Sequence, residues 1–407
     1  MTQKLNHYDI IIIGAGIAGL YAAYTIKKLY PEKTFLILEK NKKQAIGGRA
    51  SSEYFHGSEI ATGAGIGRKR SDLLLIKLMH ELKFKYFEFK TVVNRSSAIK
   101  HVDIMKTIES LKSSYKKYPE LKHLTFKEFF IKTLGSLAYK DFVLSTGYTD
   151  YENADIYDTL YNYTMSDIVP GWTGLHISWA DLIDKLYNQI KSSHFKFSYC
   201  VTSLKKTNGL FEINTQYRAN KIIVATTLSG ILKIVPNAAS SQSLYRQIHA
   251  QPFLRVYAKF NKEYAELLKQ LISNYTILKT PLQKIIPINA EKGIYMIAYS
   301  DNKSALYLKK YILNTHLNRE MFCRLLDAAL GVKLKITAIR SYYWAEGTHY
   351  YEPLPDNFKN REEFLRSVQH PQENLAVVGE AVSIHQGWVE GALESVQQAI
   401  TKKYILS

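Results

Sequence analysis

Residues 8–39 read YDIIIIGAGIAGLYAAYTIKKLYPEKTFLILE. The isoleucine run that ends at Ile13 suits a strand buried on both faces. Glycines 14, 16 and 19 punctuate it, and Ile17 to Leu29 reads as a helix with Leu20, Ala23, Tyr24 and Ile26 on its inner side. Pro31 ends that helix, and Thr34 to Glu39 reads as a second strand. Strand, glycine turn, helix, strand is a βαβ unit. In the G-x-G-x-x-G pattern Gly14 permits the tight turn, Gly16 lets backbone approach a pyrophosphate, and Gly19 lets helix and strand pack closely. The pyrophosphate then lies on the free N–H groups of the helix start. Glu39 follows Gly19 by twenty residues at a strand end. A carboxylate there suits a ribose diol and repels a 2′-phosphate, so the stretch predicts a dinucleotide other than NADP.

Outward from this unit, the chain has 407 residues, enough for two or three domains and a large core. Aromatic residues make up 13%, which gives too much surface to bury for wholesale disorder. Two cysteines exclude a disulfide framework and fit a reducing, cytoplasmic setting. The run Ile10 to Ile26 is too short and too glycine-broken for a membrane span, and no signal peptide is convincing. The net charge is +18, and residues 68–140 hold 17 Lys/Arg against 7 Asp/Glu. Such a field attracts nucleic acid, anionic membrane or acidic protein. The plainer reading, a basic surface that aids solubility, is preferred to a nucleic-acid role. The twelve histidines show no paired ligand spacing, so no metal is expected.

Residues 71–190 read mainly helical. Phe197–Leu204, Asn208-Gly209 and Leu210–Thr215 read as a hairpin with a type I′ turn. Asn220–Thr226 reads as a further strand. Strands at 253–260, 295–299 and 336–343 and helices at 262–272 and 304–330 follow, then a buried strand at 374–379 and a helix at 389–402. Nucleotide-binding signals occur at both ends and in the middle of the chain. One nucleotide domain assembled from separated segments, with another inserted, accounts for that.

Two further clusters carry chemistry. Gly47-Gly48-Arg49 follows the second strand, where the glycines allow backbone contact and Arg49 can neutralise phosphate or clamp a ring edge. Val378-Gly379-Glu380 ends a buried strand and places a carboxylate at the sheet edge where ligands bind in open α/β folds. Gly387-Trp388-Val389-Glu390-Gly391-Ala392 opens the last helix, and Gly391-Ala392 lets backbone amides come close to a ring.

With Gly14, Gly16, Gly19 and Glu39, these clusters resemble the flavin-containing amine oxidoreductases, which include monoamine and polyamine oxidases, L-amino-acid oxidases and their desaturase relatives. The resemblance spans the chain. It implies an α/β fold: a Rossmann-type FAD-binding domain, discontinuous in sequence, plus an α+β substrate domain with a helical insertion. The FAD domain would comprise 1–68, 192–245 and 372–407; the substrate domain would comprise 69–191, helical, and 246–371, a mixed sheet. It implies that Gly14, Gly16, Gly19 and Glu39 bind the ADP half of FAD, and that Gly47, Gly48 and Arg49 lie on its pyrophosphate and flavin side. Gly379, Glu380, Trp388, Gly391 and Ala392 would cradle ribitol and flavin, and Val201 would read adenine through its main chain. No cysteine lies near Thr348 or His349, so the FAD would be non-covalent.

The same resemblance assigns Tyr350 and Trp388 as two walls of an aromatic cage for a small-molecule amine, with His349 and Tyr351 as alternatives of register. Both rings also read as core aromatics. Arg255 stands where the family tends to place a lysine water-linked to the flavin. The implied reaction is hydride transfer from an amine α-carbon to flavin, giving an imine, with O₂ as acceptor and H₂O₂ as product. Two alternatives remain: a same-fold FAD enzyme acting on a non-amine, as a desaturase or isomerase, or a basic flavoprotein with a mainly binding or structural role. Ser145 to Asp167 has Asp150, Glu152, Asp155, Asp158 and Asp167 with no Lys or Arg. It reads either as a lure for an amine or as a solvated helix face.

Overall fold

The protein is described from a computed structural model that covers residues 6–163, 165, 168 and 171–406. Asn6–Ile13 lies inside a seven-stranded sheet and pairs in parallel with Phe35–Leu38 on one side and Tyr217–Val224 on the other. Phe35–Leu38 also pairs with Phe195–Lys196. The outer edge of Tyr217–Val224 is shared: its first half takes the hairpin strand Leu210–Ile213, and its second half takes Leu375–Val377 in parallel. One sheet thus draws strands from widely separated parts of the chain.

The isoleucine run explains this sheet. Ile10 and Ile12 face one core and Ile11 and Ile13 the other, and all four are buried. Helix Ile17–Leu29, as expected, lies on the first face and packs against Trp179–Ile190 and Val389–Ala399. Helices Leu228–Ile234 and Arg361–Gln369 supply Ile231, Phe364 and Leu365 to the second.

The hairpin turn is at Asn208-Gly209, with φ of 52° and 82° as a type I′ turn requires. Its first strand is Leu204–Thr207 and does not begin at Phe197. The Asn214 side chain accepts from Thr202 N and Ser203 N and donates to Cys200 O, which holds residues 200–203 in a loop.

A second, six-stranded sheet begins at one edge with the long pair Ile336–Tyr351 and Ile248–Phe260, followed by Ile294–Asp301, Lys284–Asn289, Tyr275–Ile277 and Val93–Arg95. Helices Lys262–Leu271, Asn302–Leu308 and His316–Leu330 cover the face that carries Leu254, Val256 and Ala258. The expected single helix 304–330 is two helices, because Thr315 starts the second by accepting from Asn318 N.

The segment 71–190 is largely helical. Ile104–Lys117, Phe126–Leu134 and Ser136–Thr146 pack Phe126, Phe129, Phe130 and Phe142 into one aromatic core. It also contains the strands Phe87–Lys90 and Thr173–His176, which the helical reading missed. On Ile104–Lys117, Ile104, Ile108 and Leu111 are buried while Lys106, Lys116 and Lys117 face solvent. Among the described residues no helix is long and apolar enough to cross a membrane.

Candidate active site

The glycine turn shows a division of labour. A Cβ on Gly14 would enter the carbonyl oxygen of Ala225, and one on Gly19 would enter that of Gly14. A Cβ on Gly16 would meet nothing within 4 Å. The turn is therefore closed against protein at Gly14 and Gly19 and open at Gly16. Helix Ile17–Leu29 begins there with no side-chain cap and no acidic residue in its first turn. Its first N–H groups have no intrahelical partner, which is a ready arrangement for an anion.

The second glycine pair lies beside it. Gly47 N donates to Ala15 O at 2.9 Å, and the Cβ position of Gly48 is 3.6 Å from Gly16 Cα. Glu39 is buried and ties into the same turn: Oε2 accepts from Ala15 N and Oε1 from Asn41 N, each at 2.8 Å. Each oxygen keeps acceptor capacity for a ligand hydroxyl.

Arg49 connects this end to the C-terminal motif. Its Nη1 donates to Glu380 Oε2 at 2.9 Å and to Gly347 O at 2.8 Å. Glu380 Oε2 also accepts from His349 Nδ1 at 2.7 Å, and Oε1 accepts from His349 N at 3.0 Å and Gly387 N at 2.7 Å. Burial alone would push the Glu380 carboxyl up, but His349 and Arg49 hold it well below the usual carboxylate range. Its acceptor positions are filled by protein, so Glu380 locks Arg49, His349 and the Gly387 turn together. With Nδ1 bonded to Glu380, His349 has Nε2 as its remaining ring nitrogen. That Nε2 and the neighbouring Thr348 Oγ1 are buried without a partner among the described residues.

Strand alternation separates His349 from Tyr350. His349 meets Glu380, and Tyr351 donates to Ser383 O on the same side at 2.9 Å. Tyr350 stands on the opposite side of the strand, stacked on His249 at 5.1 Å. Trp388 is half-buried, with the Arg68 guanidinium 3.7 Å from its ring centre. Arg68 in turn holds Asp72 through Nε at 2.9 Å and Nη2 at 2.7 Å. Glu390 caps helix Leu73–Glu81, accepting from Leu74 N at 2.7 Å and Leu75 N at 2.9 Å. Burial, with Asp72 and Glu394 nearby, pushes its carboxyl up to about 7 despite those two bonds. A Cβ on Gly391 would strike His385 O, Ala392 is buried beside it, and Gly379 N donates to Ser395 Oγ at 2.8 Å.

Arg255 is buried in Ile248–Phe260, with its guanidinium carbon 4.5 Å from the ring centre of Tyr299. A Cβ on Gly65 would lie 2.9 Å from its Nη2. The neighbouring Ala64 N donates to Arg49 O at 2.7 Å, so one short loop links Arg255 to the Arg49–Glu380 cluster. Val201 contributes its side chain to the core under the main sheet. Of the acidic stretch, Asp155 and Asp158 pair with buried Arg361 at 3.5 and 2.7 Å, so these two do not form a solvated face. Asp167 lies outside the described residues. Among the described residues no group of three or more His, Cys, Asp or Glu side chains could hold a metal ion.

Sequence reasoning assigned no role to Arg68, Asp72 or Glu390. Glu390 stands inside the quoted C-terminal motif, and a carboxylate between a helix start and two glycine-rich turns was the available signal.

Comparisons with known proteins agree with this geometry. The NAD(P)-binding Rossmann-like domain family matches residues 12–81. An uncharacterised protein of Acanthamoeba polyphaga mimivirus is 22% identical over 494 aligned positions, covering 97% of this chain and 94% of that protein. Among solved structures, a double mutant of putrescine oxidase superposes with a TM-score of 0.76 at 13% identity, covering 99% of this chain and all of that one. Cyclohexylamine oxidase from Brevibacterium oxydans gives 0.74 at 17% identity, covering 96% and 97% of the two chains. The chain thus has the fold of the FAD-dependent amine oxidases, built on a Rossmann-like dinucleotide-binding domain.

Proposed function

We propose that this protein is an oxidoreductase that binds FAD non-covalently and oxidises a small amine. The observation that carries the reading is the convergence of three distant glycine motifs: the open turn at Gly16, Gly47-Gly48 beside it, and Gly379-Glu380 joined to Arg49 by a 2.9 Å ion pair. The likeness to putrescine oxidase and cyclohexylamine oxidase supports it. The residues present fit the cofactor. Gly16 leaves room for a diphosphate, Glu39 keeps acceptor capacity for ribose, and the unpartnered His349 Nε2 and Thr348 Oγ1 are polar atoms that a buried ligand would satisfy.

Bound FAD would supply a two-electron acceptor for hydride from the amine α-carbon, which would leave an imine for water to hydrolyse, with O₂ as the final acceptor and H₂O₂ as its product. The chain's own residues bind and orient. Uncapped N–H groups at Ile17–Leu29 and the two glycine turns would hold the diphosphate. Glu380 fixes Arg49 and His349 against each other, so both keep one orientation through turnover. Trp388, held flat by Arg68, would wall the amine slot, and desolvation there favours the neutral amine that gives up hydride. Tyr350, the other proposed wall, stands across the strand from His349, so His349 is the nearer partner of the Glu380 cluster.

The test is anaerobic mixing of purified yellow protein with an amine panel. The oxidised flavin band should bleach with a substrate amine, and air should restore it with peroxide. Acid precipitation should leave the flavin in the supernatant. Trp388→Ala and His349→Ala should slow bleaching more than Tyr350→Ala while the protein stays yellow. A colourless protein that takes up no FAD sinks the proposal.

A further inference from the structure

Exposed apolar side chains are not spread evenly over this protein. Of the seventeen large hydrophobic residues that stand exposed among the described residues, four fall between positions 306 and 317: Leu306, Tyr307, Leu313 and Leu317. Leu313 is 68% exposed and Leu317 is 72% exposed. All four lie at the junction of helices Asn302–Leu308 and His316–Leu330, two of the helices that cover the second sheet. The inner side of this junction is already filled. Ala305 and Leu308 are buried, and helical spacing puts Lys303, Leu306, Tyr307 and Lys310 on the side away from them. The turn is also pinned. Asn318 Nδ2 donates to Leu313 O at 2.9 Å, and Asn314 Oδ1 accepts from Ile339 N at 3.1 Å and from Arg319 Nη1 at 3.0 Å. Leu313 and Leu317 are therefore held out to solvent on a fixed turn.

The charges around these side chains have one sign. From Asn302 to Arg319 the chain carries Lys303, Lys309, Lys310 and Arg319 and no Asp or Glu. None of the four cations pairs with a carboxylate among the described residues. Lys310 Nζ instead lies 4.9 Å from the ring centre of Tyr307 and 5.1 Å from that of Tyr311, and Lys309 Nζ lies 4.5 Å from that of Tyr343. Leucine and tyrosine tips set among cations suit a partner with an anionic face over an apolar interior, which is the build of an anionic bilayer. Such a patch needs no spanning helix to hold a membrane surface. Nucleic acid would meet the lysines and leave the leucines in water. A second copy of the chain, docked two-fold through this junction, would set the same lysines against one another.

We propose that this junction docks the protein on the surface of an anionic lipid bilayer. Leu306, Leu313 and Leu317 enter the boundary between headgroups and acyl chains, and Lys303, Lys309, Lys310 and Arg319 meet the anionic headgroups. Tyr307 and Tyr311, each with an apolar ring and a polar tip, sit at headgroup level. The docking surface stands apart from the oxidase reading and does not depend on FAD.

The probe is a vesicle of phosphatidylserine and phosphatidylcholine in equal parts, cosedimented with the full chain and compared with a vesicle of phosphatidylcholine alone. Wild type should bind the anionic vesicle about tenfold or more tighter, and added salt should weaken that binding. Leu313→Ser combined with Leu317→Ser alters no charge and should weaken binding by about tenfold or more. Both positions are exposed, so the urea midpoint of that variant should match wild type. Lys309→Glu combined with Lys310→Glu should weaken binding at least as much. Lys116→Glu combined with Lys117→Glu removes the same charge from the most basic part of the chain and should leave binding within about threefold of wild type. No sedimentation with either vesicle, equal binding to both, or equal losses in the two lysine pairs overturns the docking surface. So does a single-stranded oligonucleotide that binds through Lys309 and Lys310 while the serine variant binds anionic vesicles as well as wild type, which assigns the cations to nucleic acid. Dimers that the serine variant abolishes, with no vesicle binding by wild type, overturn it in favour of a second copy.

Discussion

Arg361 and Arg255 are buried to nearly the same degree, 3% and 5% exposed, yet their surroundings treat them in opposite ways. Arg361 lies between Asp155 and Asp158 and also donates to Glu352 O at 2.9 Å. Its charge is consumed in joining residues 155–158 of the helical segment to helix Arg361–Gln369. Arg255 has aromatic faces and a glycine in place of carboxylates. The first arginine belongs to the fold. The second has no carboxylate partner among the described residues, and such groups concentrate where ligands bind. Burial alone therefore does not separate a structural arginine from a functional one; the partner set does.

The largest effect expected from this contrast is on stability. Arg361→Gln strands two buried carboxylates and should cost about 3–5 kcal/mol in urea unfolding. Arg255→Gln removes a charge without a carboxylate partner among the described residues and should shift stability by less than about 1 kcal/mol in either direction. Equal losses would break the comparison. The same logic operates inside the glycine turn. Gly19→Ala drives a methyl into a backbone carbonyl and should cost on the order of 2 kcal/mol together with flavin loading. Gly16→Ala meets open space and should stay within about 0.5 kcal/mol of wild type while losing flavin affinity, read as flavin-to-protein ratio after gel filtration.

A smaller effect sharpens the contrast through pH. Glu380 is held low by cations, so its contribution is present above about pH 4.3, the ordinary value, and is lost only as pH falls through its depressed folded value. Glu390 is raised to about 7 by burial. The folded state then binds more protons than the unfolded one, and its contribution falls as pH rises from about 4.3 to about 7. Glu390→Gln should flatten that decline in urea midpoints, whereas Glu380→Gln should leave it in place. A decline unchanged in Glu390→Gln would assign it to another group.

Much of the nucleotide unit is legible in sequence because its signals are local. The isoleucine run, the glycine spacing and Pro31 lie within a few residues of the elements they define, and helix Ile17–Leu29 has the expected bounds. The orientation of His349 and Tyr350 is not legible. Adjacent strand residues face opposite ways, so a one-residue change in register exchanges them, and register is set by Ile248–Phe260 across the sheet. The strand Phe87–Lys90 escaped notice because all four residues are exposed and show no alternation of burial. Arg361 and its carboxylates are some 200 positions apart in sequence, and nothing local announces such a pairing.

The division of the main sheet also has a consequence for synthesis. Asn6–Ile13 can pair with Phe35–Leu38 as soon as both leave the ribosome, but its other neighbour, Tyr217–Val224, is made nearly 200 residues later. At roughly 5–20 residues per second that delay is on the order of 10–40 s. Throughout it the nascent chain displays an isoleucine-lined strand with one bare flank, an open template for pairing with other chains. Newborn molecules of this protein should therefore depend on chaperones during translation far more than finished ones do afterwards.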